Sequence, residues 1–147
     1  MENKIVIASH GKLAQGMLDT IHFIAGAQEH VEALCLYEDH TIDYEAVAEN
    51  KLKEYCGDYN VIVLTDIIGG SVNLLFVKLL ERYSFHLISS FTLGVILEMS
   101  VRNEMLTEDV IEEIMNAPQV HPVYLNHVVR ELKEEVYQEC LSGEKEE

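Results

Sequence analysis

Short runs of branched apolar residues alternate along this chain with longer segments in which apolar residues recur every three or four positions. The first pattern is typical of strands buried on both faces, and the second is typical of amphipathic helices. The predicted strands cover residues 4–9, 31–37, 61–64 and 85–90. The predicted helices cover residues 13–25, 43–56, 71–83, 92–102, 107–116 and 126–140, with Asp43, Ser71 and Thr107 as N-caps.

The alternation of strand and helix predicts a three-layer α/β/α fold around a mainly parallel sheet. Right-handed crossovers, with the first strand at the centre, give the strand order 2-1-3-4. The order reverses between the first and third strands, and ligands bind at the carboxyl ends of strands at such a reversal. Residues 120–125 are a possible fifth, antiparallel strand, which Pro122 would confine to the edge of the sheet.

The length of 147 residues fits one domain, predicted over residues 1–142 and followed by an acidic tail at 143–147. The net charge is −16, from 26 acidic and 10 basic side chains. This charge disfavours nucleic acid and anionic membrane as partners, because both are polyanions. It favours a protein partner with a basic docking face, although acidity that serves only solubility is an equally good explanation.

The cysteines, the N-terminus and the most apolar stretch bear on where the protein is located, and the histidines bear on metal binding. The three cysteines form no C-x-x-C pair, and the N-terminus lacks a secretory signal, so we expect a cytoplasmic protein. The most apolar stretch, 61–80, is interrupted by Asp66, Gly69, Gly70 and Asn73, so we expect no membrane span. The seven histidines show no metal-ligand spacing, and neither a metal nor another cofactor is expected.

The candidate chemistry lies where the first and third strands end. Ser9-His10-Gly11 follows the first strand, and Thr65-Asp66 follows the third. Because neighbouring strands lie roughly 5 Å apart, His10 and Asp66 are expected within hydrogen-bonding reach. The carboxylate would accept the proton of one ring nitrogen, which leaves the other nitrogen as a nucleophile.

A glycine-rich loop comes directly after Asp66. Gly69, Gly70 and Ser71 precede a predicted helix, whose first amides and dipole favour an anion. Each feature alone is ordinary, since many loops contain a histidine and many helices start after glycine. Their joint position at the strand reversal predicts a site in which His10 receives a phosphoryl group without a metal.

Two stretches of the sequence resemble a known family. Ile5-Val6-Ile7-Ala8-Ser9-His10-Gly11, and Val63-Leu64-Thr65-Asp66 with Gly69-Gly70-Ser71, resemble the IIA components of the mannose/fructose/sorbose group of the phosphoenolpyruvate-dependent sugar phosphotransferase system. The length and element order agree over about residues 1–130. Two positions depart from the family pattern: Val72 replaces a proline, and residues 92–95 replace an Asn-x-Pro-Met stretch.

The resemblance implies a function and a set of partners. His10 would accept phosphate from the phosphocarrier protein HPr and pass it to a IIB subunit for sugar uptake, with Asp66 holding the other ring nitrogen. Gly69, Gly70 and Ser71 would lie against the phosphoryl group. The resemblance also implies a homodimer with an exchanged C-terminal strand, for which residues 120–125 are the candidate, and membrane contact only through IIC and IID subunits.

Other functions remain open at this stage. The phosphoryl-donor subunit of dihydroxyacetone kinase shares the fold and the histidine. A non-catalytic regulatory or binding protein with the same fold is the alternative from another class, favoured by the changed residues 92–95. A response-regulator receiver would need an acidic pair where Ser9 and His10 stand, and a histidine phosphatase would need an arginine in place of Ser9, so both are disfavoured.

Overall fold

Four parallel strands form the centre of the computed structural model, which describes residues 1–143. The strands are β1 Asn3–His10, β2 Val31–Leu36, β3 Asn60–Thr65 and β4 His86–Ile88. They are hydrogen-bonded in the order β2-β1-β3-β4, and every pair is parallel. The predicted order 2-1-3-4 is therefore confirmed, and β1 and β3 lie side by side at its centre.

Five helices cover the two faces of the sheet, as predicted. They are α1 Leu13–Ala25, α2 Tyr44–Tyr55, α3 Ser71–Leu79, α4 Leu93–Ser100 and α5 Glu108–Asn116. A 3-10 turn at Pro118–Val120 and a further helix, α6 Leu125–Gly143, follow. Asp43 and Thr107 cap α2 and α5 through hydrogen bonds from backbone amides. The prediction that Ser71 caps α3 is wrong, because Gly70 occupies the cap position and Ser71 is the first helical residue.

Alternate residues of β1 face the two halves of the core. Ile5 and Ile7 pack in a cluster with buried residues of α1, α4 and α5. Val6 and Ala8 pack in a second cluster with buried residues of α2 and α3. All four side chains are essentially inaccessible to water. The run of apolar residues in β1 is thus explained by the burial of both faces of this central strand. The packing of β1 between the two clusters positions the residues at its carboxyl end.

The possible fifth strand is not formed in the described chain. Val120 ends the 3-10 turn, and α6 begins at Leu125. The hydroxyl of Thr92 donates a hydrogen bond to the carbonyl of Val120 over 2.8 Å. A Cβ on Gly94 would lie only 3.2 Å from the Cα of Val120, so the turn packs closely on α4. These contacts hold Val120 against α4, in the core cluster that also contains Ile5 and Ile7.

The C-terminal helix α6 differs from the others because none of its residues is buried. None of the helices within residues 1–143 combines the length and apolar character that a membrane span requires. The predicted acidic tail begins at Gly143, the last residue described, and residues 144–147 lie outside the described part of the chain.

Candidate functional site

His10 and Asp66 meet where the two central strands end. Ala8 pairs with Thr65 across the sheet, so the next residues of both strands emerge at the same edge. The ring Nδ1 of His10 lies 2.8 Å from Oδ2 of Asp66, and the backbone N–H of His10 donates to the same oxygen over 2.8 Å. The predicted pairing is therefore present, and the carboxylate holds both the backbone and the ring of His10.

The environment of Asp66 favours its ionised form. Partial burial alone would raise the pKa of this carboxyl, but hydrogen bonds from the backbone and ring of His10 and from the backbone of Ile67 lower it below its ordinary value. The Ile67 N–H donates to Oδ1 over 3.0 Å, so both carboxylate oxygens are engaged. The Asp66 side chain is 11% exposed and that of His10 is 42% exposed. A charged, well-held acceptor thus lies beneath a ring that is open to solvent.

Ser9 and Gly11 shape the turn that carries His10. Gly11 has a φ of 55°, a left-handed conformation that glycine adopts without strain. Its N–H donates to the carbonyl of Leu36 over 2.9 Å, which ties the turn to β2. The buried hydroxyl of Ser9 accepts a hydrogen bond from the N–H of Ala14 over 2.7 Å. Ser9 therefore joins the end of β1 to the first turn of α1, a role that the sequence analysis did not identify.

Tyr37 stacks on the ring of His10. The two ring centroids lie 5.6 Å apart with an angle of 29° between the planes. Tyr37 has a φ of 60°, a conformation that costs a tyrosine energy because its Cβ crowds the backbone. Its ring also contacts Tyr44 at 4.9 Å, and the Tyr44 hydroxyl accepts the N–H of Asp39 over 2.7 Å. This packing holds Tyr37 in its strained position beside the imidazole.

The glycine-rich loop also reaches His10. A Cβ placed on Gly70 would lie 3.3 Å from Cε1 of His10 and 2.7 Å from Cγ2 of Ile67. Only a residue without a side chain fits this close approach, although the backbone of Gly70, with a φ of −72°, is ordinary. The start of α3 is therefore packed directly against the imidazole, on the loop that follows Asp66.

Two of the predicted anion-binding amides are already engaged within the loop. The N–H of Gly69 donates to Oδ1 of Asn73 over 2.9 Å, and the N–H of Gly70 donates to the carbonyl of Ile67 over 3.1 Å. Within residues 1–143, the amides of Ser71 and Val72 make no hydrogen bond, as is usual for the first turn of a helix. The backbone amide of Asn73 makes none either, so the amides available for an anion are those of the first helical turn, including Ser71 and Val72.

Asn73 organises this loop from below. It is only 6% exposed, and its amide nitrogen donates to the hydroxyls of Ser89 and Thr65. Those two hydroxyls are themselves 2.7 Å apart. Because Oδ1 of Asn73 also accepts from Gly69, one buried side chain links the loop to the ends of β3 and β4. The sequence signal for this structural role of Asn73 was a polar residue among the apolar residues of helix 71–79.

The arrangement can hold a nucleophile and receive an anion. When Nδ1 carries the ring proton and donates it to Asp66, Nε2 has a free lone pair. The free amides of Ser71 and Val72 and the dipole of α3 provide positive potential at the helix start. Among the described residues, no group of three or more histidine, cysteine or acidic side chains could hold a metal ion.

Comparison with known proteins identifies relatives of the whole α/β body. Residues 4–117 match the protein family described as PTS system fructose IIA component. A Klebsiella pneumoniae protein described as a phosphoenolpyruvate-dependent sugar phosphotransferase system permease is 32% identical, with a TM-score of 0.76. That match covers 88% of this chain and 95% of the Klebsiella chain. No curated protein sequence matches this chain.

Two further solved structures share the fold. The PTS IIA protein associated with the fucose utilization operon of Streptococcus pneumoniae is 26% identical, with a TM-score of 0.74 over 88% of this chain and 97% of its own. The mannose/sorbose-specific IIA subunit of Enterococcus faecalis is 21% identical, with a TM-score of 0.68 over 84% of this chain and 96% of its own. At that identity, the Enterococcus structure supports the fold alone.

Proposed function

The chain belongs to the mannose/fructose family of phosphotransferase-system IIA components, and on that premise we propose that it carries a phosphoryl group on His10. The group would come from phospho-HPr and pass to a IIB subunit for sugar uptake. The observation that carries the proposal is the contact of 2.8 Å between Nδ1 of His10 and Asp66 at the strand reversal. That contact leaves Nε2 as the nucleophile.

The transfer follows from the position of the two ring nitrogens. Nδ1–H donates to Asp66, and the Nε2 lone pair attacks the phosphorus of the donor in line. The new Nε2–P bond forms as the bond between phosphorus and HPr breaks, and the electron pair of that bond leaves with HPr. Positive charge that develops on the imidazole is stabilised by the ionised Asp66. Positioning and electrostatics supply most of the catalysis in such transfers.

The phosphoryl oxygens would be received by the start of α3. The amides of Ser71 and Val72 are free to donate to them, and Gly70 allows the helix to approach the ring. Gly69 contributes through its bond to Asn73, which shapes the loop, and its amide is not available to the ligand. The Ser71 hydroxyl stands at the first helical position, beside the same amides. This arrangement needs neither a metal nor another cofactor.

The partners follow from the family and from the charge. We propose HPr and a IIB subunit as partners, a homodimer as the working form, and the cytoplasm as the location. Contact with the membrane would be indirect, through IIC and IID subunits. The net charge of −16 supports docking to basic protein surfaces and opposes binding to nucleic acid.

Phosphorylation in a reconstituted system tests the proposal. The protein is incubated with phosphoenolpyruvate, enzyme I and HPr, each omitted in turn, and its intact mass is recorded. We expect the gain of one phosphoryl group that is labile in acid, requires all three components and is absent from His10→Ala. The exposed His22→Ala on α1 is the matched control and should label normally. A folded wild-type protein that gains no mass would contradict the proposal.

A further inference from the structure

The backbone amides of the glycine-rich loop, residues 67–70, all donate hydrogen bonds. Three of the four go to the side chains of Asp66, Asn73 and Ser90, and the fourth goes to the carbonyl of Ile67. The first three residues of the loop are exposed, so water could have satisfied their amides. The three side chains therefore determine the shape of the loop as well as satisfying its donors.

Asn73 is the most buried of these three side chains and connects the loop to the sheet. Its carbonyl oxygen accepts from Gly69, and its amide nitrogen donates to the hydroxyls of Ser89 and Thr65. A flipped amide would place its NH2 group against the N–H of Gly69, so the contacts define one orientation. Thr65 is the last residue of β3 and directly precedes Asp66. Asn73 thus joins the loop to the strand that carries Asp66.

The loop that Asn73 holds lies against the imidazole between its two nitrogens. A Cβ on Gly70 would lie 3.3 Å from Cε1 of His10, and Cε1 is the ring carbon bonded to both Nδ1 and Nε2. Asp66 fixes the ring at Nδ1, whereas the loop lies beside the carbon next to Nε2. The free amides at the start of α3 follow Gly70 directly. The position of the loop therefore sets the distance between a group on Nε2 and these amides.

The core of the protein does not require an amide at position 73. Other buried residues of α3, such as Val72 and Phe76, are apolar, and a buried polar side chain costs about 1–3 kcal/mol unless its hydrogen bonds are made. The hydroxyls of Thr65 and Ser89 lie 2.7 Å apart and would remain bonded to each other without Asn73. A leucine of similar size would leave neither hydroxyl without a partner. The asparagine therefore contributes what a leucine would not, namely the bond to the loop.

We propose that Asn73 is a positioning residue for phosphoryl transfer, which acts through the glycine-rich loop without touching the phosphoryl group. It holds the loop against the imidazole, so that a phosphoryl group on Nε2 of His10 lies within reach of the free amides of α3. This role rests on the proposed function for the presence of that group on His10. Hydrogen bonds to charged groups are the stronger ones, and a misplacement of about 1 Å can cost about 100-fold in rate. Loss of the Asn73 amide should therefore lower the rate of transfer and destabilise the phosphorylated protein relative to phospho-HPr.

Asn73→Leu tests this role because it removes the bond to the loop and keeps a side chain of similar size. We expect the folded variant to accept phosphate from phospho-HPr at least about tenfold more slowly than the wild type and to hold a smaller share of it at equilibrium. Asn60→Leu is the matched control, since its half-buried side-chain amide also donates two hydrogen bonds, but at the opposite end of β3. It should lower stability in urea unfolding without changing the transfer rate of the folded protein. A wild-type rate in folded Asn73→Leu, whatever its stability, overturns the proposal.

Phosphoramidate, a small phosphoryl donor, separates positioning from docking. Because it labels histidine without a protein partner, Asn73→Leu should slow the labelling of His10 by this donor as well. A slowing seen only with phospho-HPr would assign Asn73 to partner docking and overturn the proposal. A wild type that is labelled by phosphoramidate and not by phospho-HPr would contradict the proposed function, and the comparison of the two variants with phosphoramidate would still test the role of Asn73.

The amide protons at the start of α3 give a spectroscopic readout that a purely structural role would not change. On phosphorylation of the protein, the NMR signals of the Ser71 and Val72 amide protons should move downfield in the wild type and in Asn60→Leu, because these amides then donate to the phosphoryl oxygens. The shifts should be lost in Asn73→Leu. Ser89→Ala removes one of the two hydroxyls that orient the Asn73 amide, and should reduce the shifts and slow transfer by a smaller factor. Undiminished shifts in both variants would overturn the proposal.

Discussion

Replacing Asp66 with asparagine should slow phosphoryl transfer to His10 by roughly 10- to 150-fold while preserving the fold. The carboxylate accepts three hydrogen bonds, two from His10 and one from Ile67, whereas an amide has one accepting oxygen and one donating nitrogen. If the amide nitrogen faces His10, the ring must place its proton on Nε2 and loses the nucleophile. If the amide oxygen faces His10, the nitrogen opposes the Ile67 N–H.

The magnitude follows from the charge that the substitution removes. Hydrogen bonds to an ionised group contribute about 1.5–3 kcal/mol, and each 1.36 kcal/mol of lost transition-state stabilisation is about tenfold in rate. Rapid-quench measurement of transfer from phospho-HPr gives the rate directly. The control is Asp43→Asn, which keeps a good N-cap on α2 and should leave the rate unchanged. A folded Asp66→Asn protein with the wild-type rate would refute the role of Asp66 in orienting the ring.

The pH dependence of stability provides a second measurement on the same variant. The pKa of Asp66 is lowered in the folded state, so its ionisation stabilises the wild type above the unfolded pKa of about 3.9. This contribution disappears as the pH falls through the lower folded pKa. Urea unfolding should therefore show a difference between wild type and Asp66→Asn that is constant near neutrality and shrinks below about pH 4. A difference that grows in acid would contradict the assignment.

Two further predictions concern the contacts around the ring. Gly70→Ala should destabilise the protein by about 1–3 kcal/mol in urea unfolding and slow transfer, because the added Cβ would lie 2.7 Å from Ile67. Gly16→Ala, in open space on α1, should instead stabilise it by about 0.5–1 kcal/mol, and equal stability of the two variants would contradict this reasoning. Tyr37→Asn, which tolerates the left-handed backbone but removes the stacked ring, should slow transfer roughly two- to twelvefold, since an aromatic pair contributes about 0.5–1.5 kcal/mol. Tyr37→Phe should transfer normally, and a wild-type rate in Tyr37→Asn would show that stacking does not position His10.

The parallel sheet and the His10–Asp66 pair could be predicted from the sequence because both depend on local signals. Buried strands read as apolar runs, and adjacent parallel strands bring their carboxyl ends together. Once the order 2-1-3-4 was inferred, the distance between His10 and Asp66 followed from the spacing of strands. The family resemblance added the partners, which these residues alone do not specify.

The remaining features of the site depend on tertiary contacts that leave little trace in the sequence. Tyr37 adopts a left-handed backbone that local propensity disfavours, and its ring packs against Tyr44 and His10, which are not its neighbours in the sequence. Ser71 was predicted to cap α3, but Gly70 occupies the cap position and the helix begins one residue earlier than predicted, while the side chain of Asn73 accepts the N–H of Gly69 in the loop. Residues 120–125 have strand-like composition, yet the bond from Thr92 holds Val120 on α4.

The exposure of the His10 ring affects what happens between encounters with partners. The fold supplies an orienting carboxylate and a helix start, but 42% of this side chain remains in contact with water. Closing a site is what protects a reactive intermediate from hydrolysis. Water would consequently hydrolyse the phosphohistidine while the phosphorylated protein diffuses alone. The fraction of phosphoryl groups lost as inorganic phosphate would therefore rise when the acceptor protein is scarce. The efficiency of the relay would then depend on the relative abundance of its components as much as on the chemistry of any one of them.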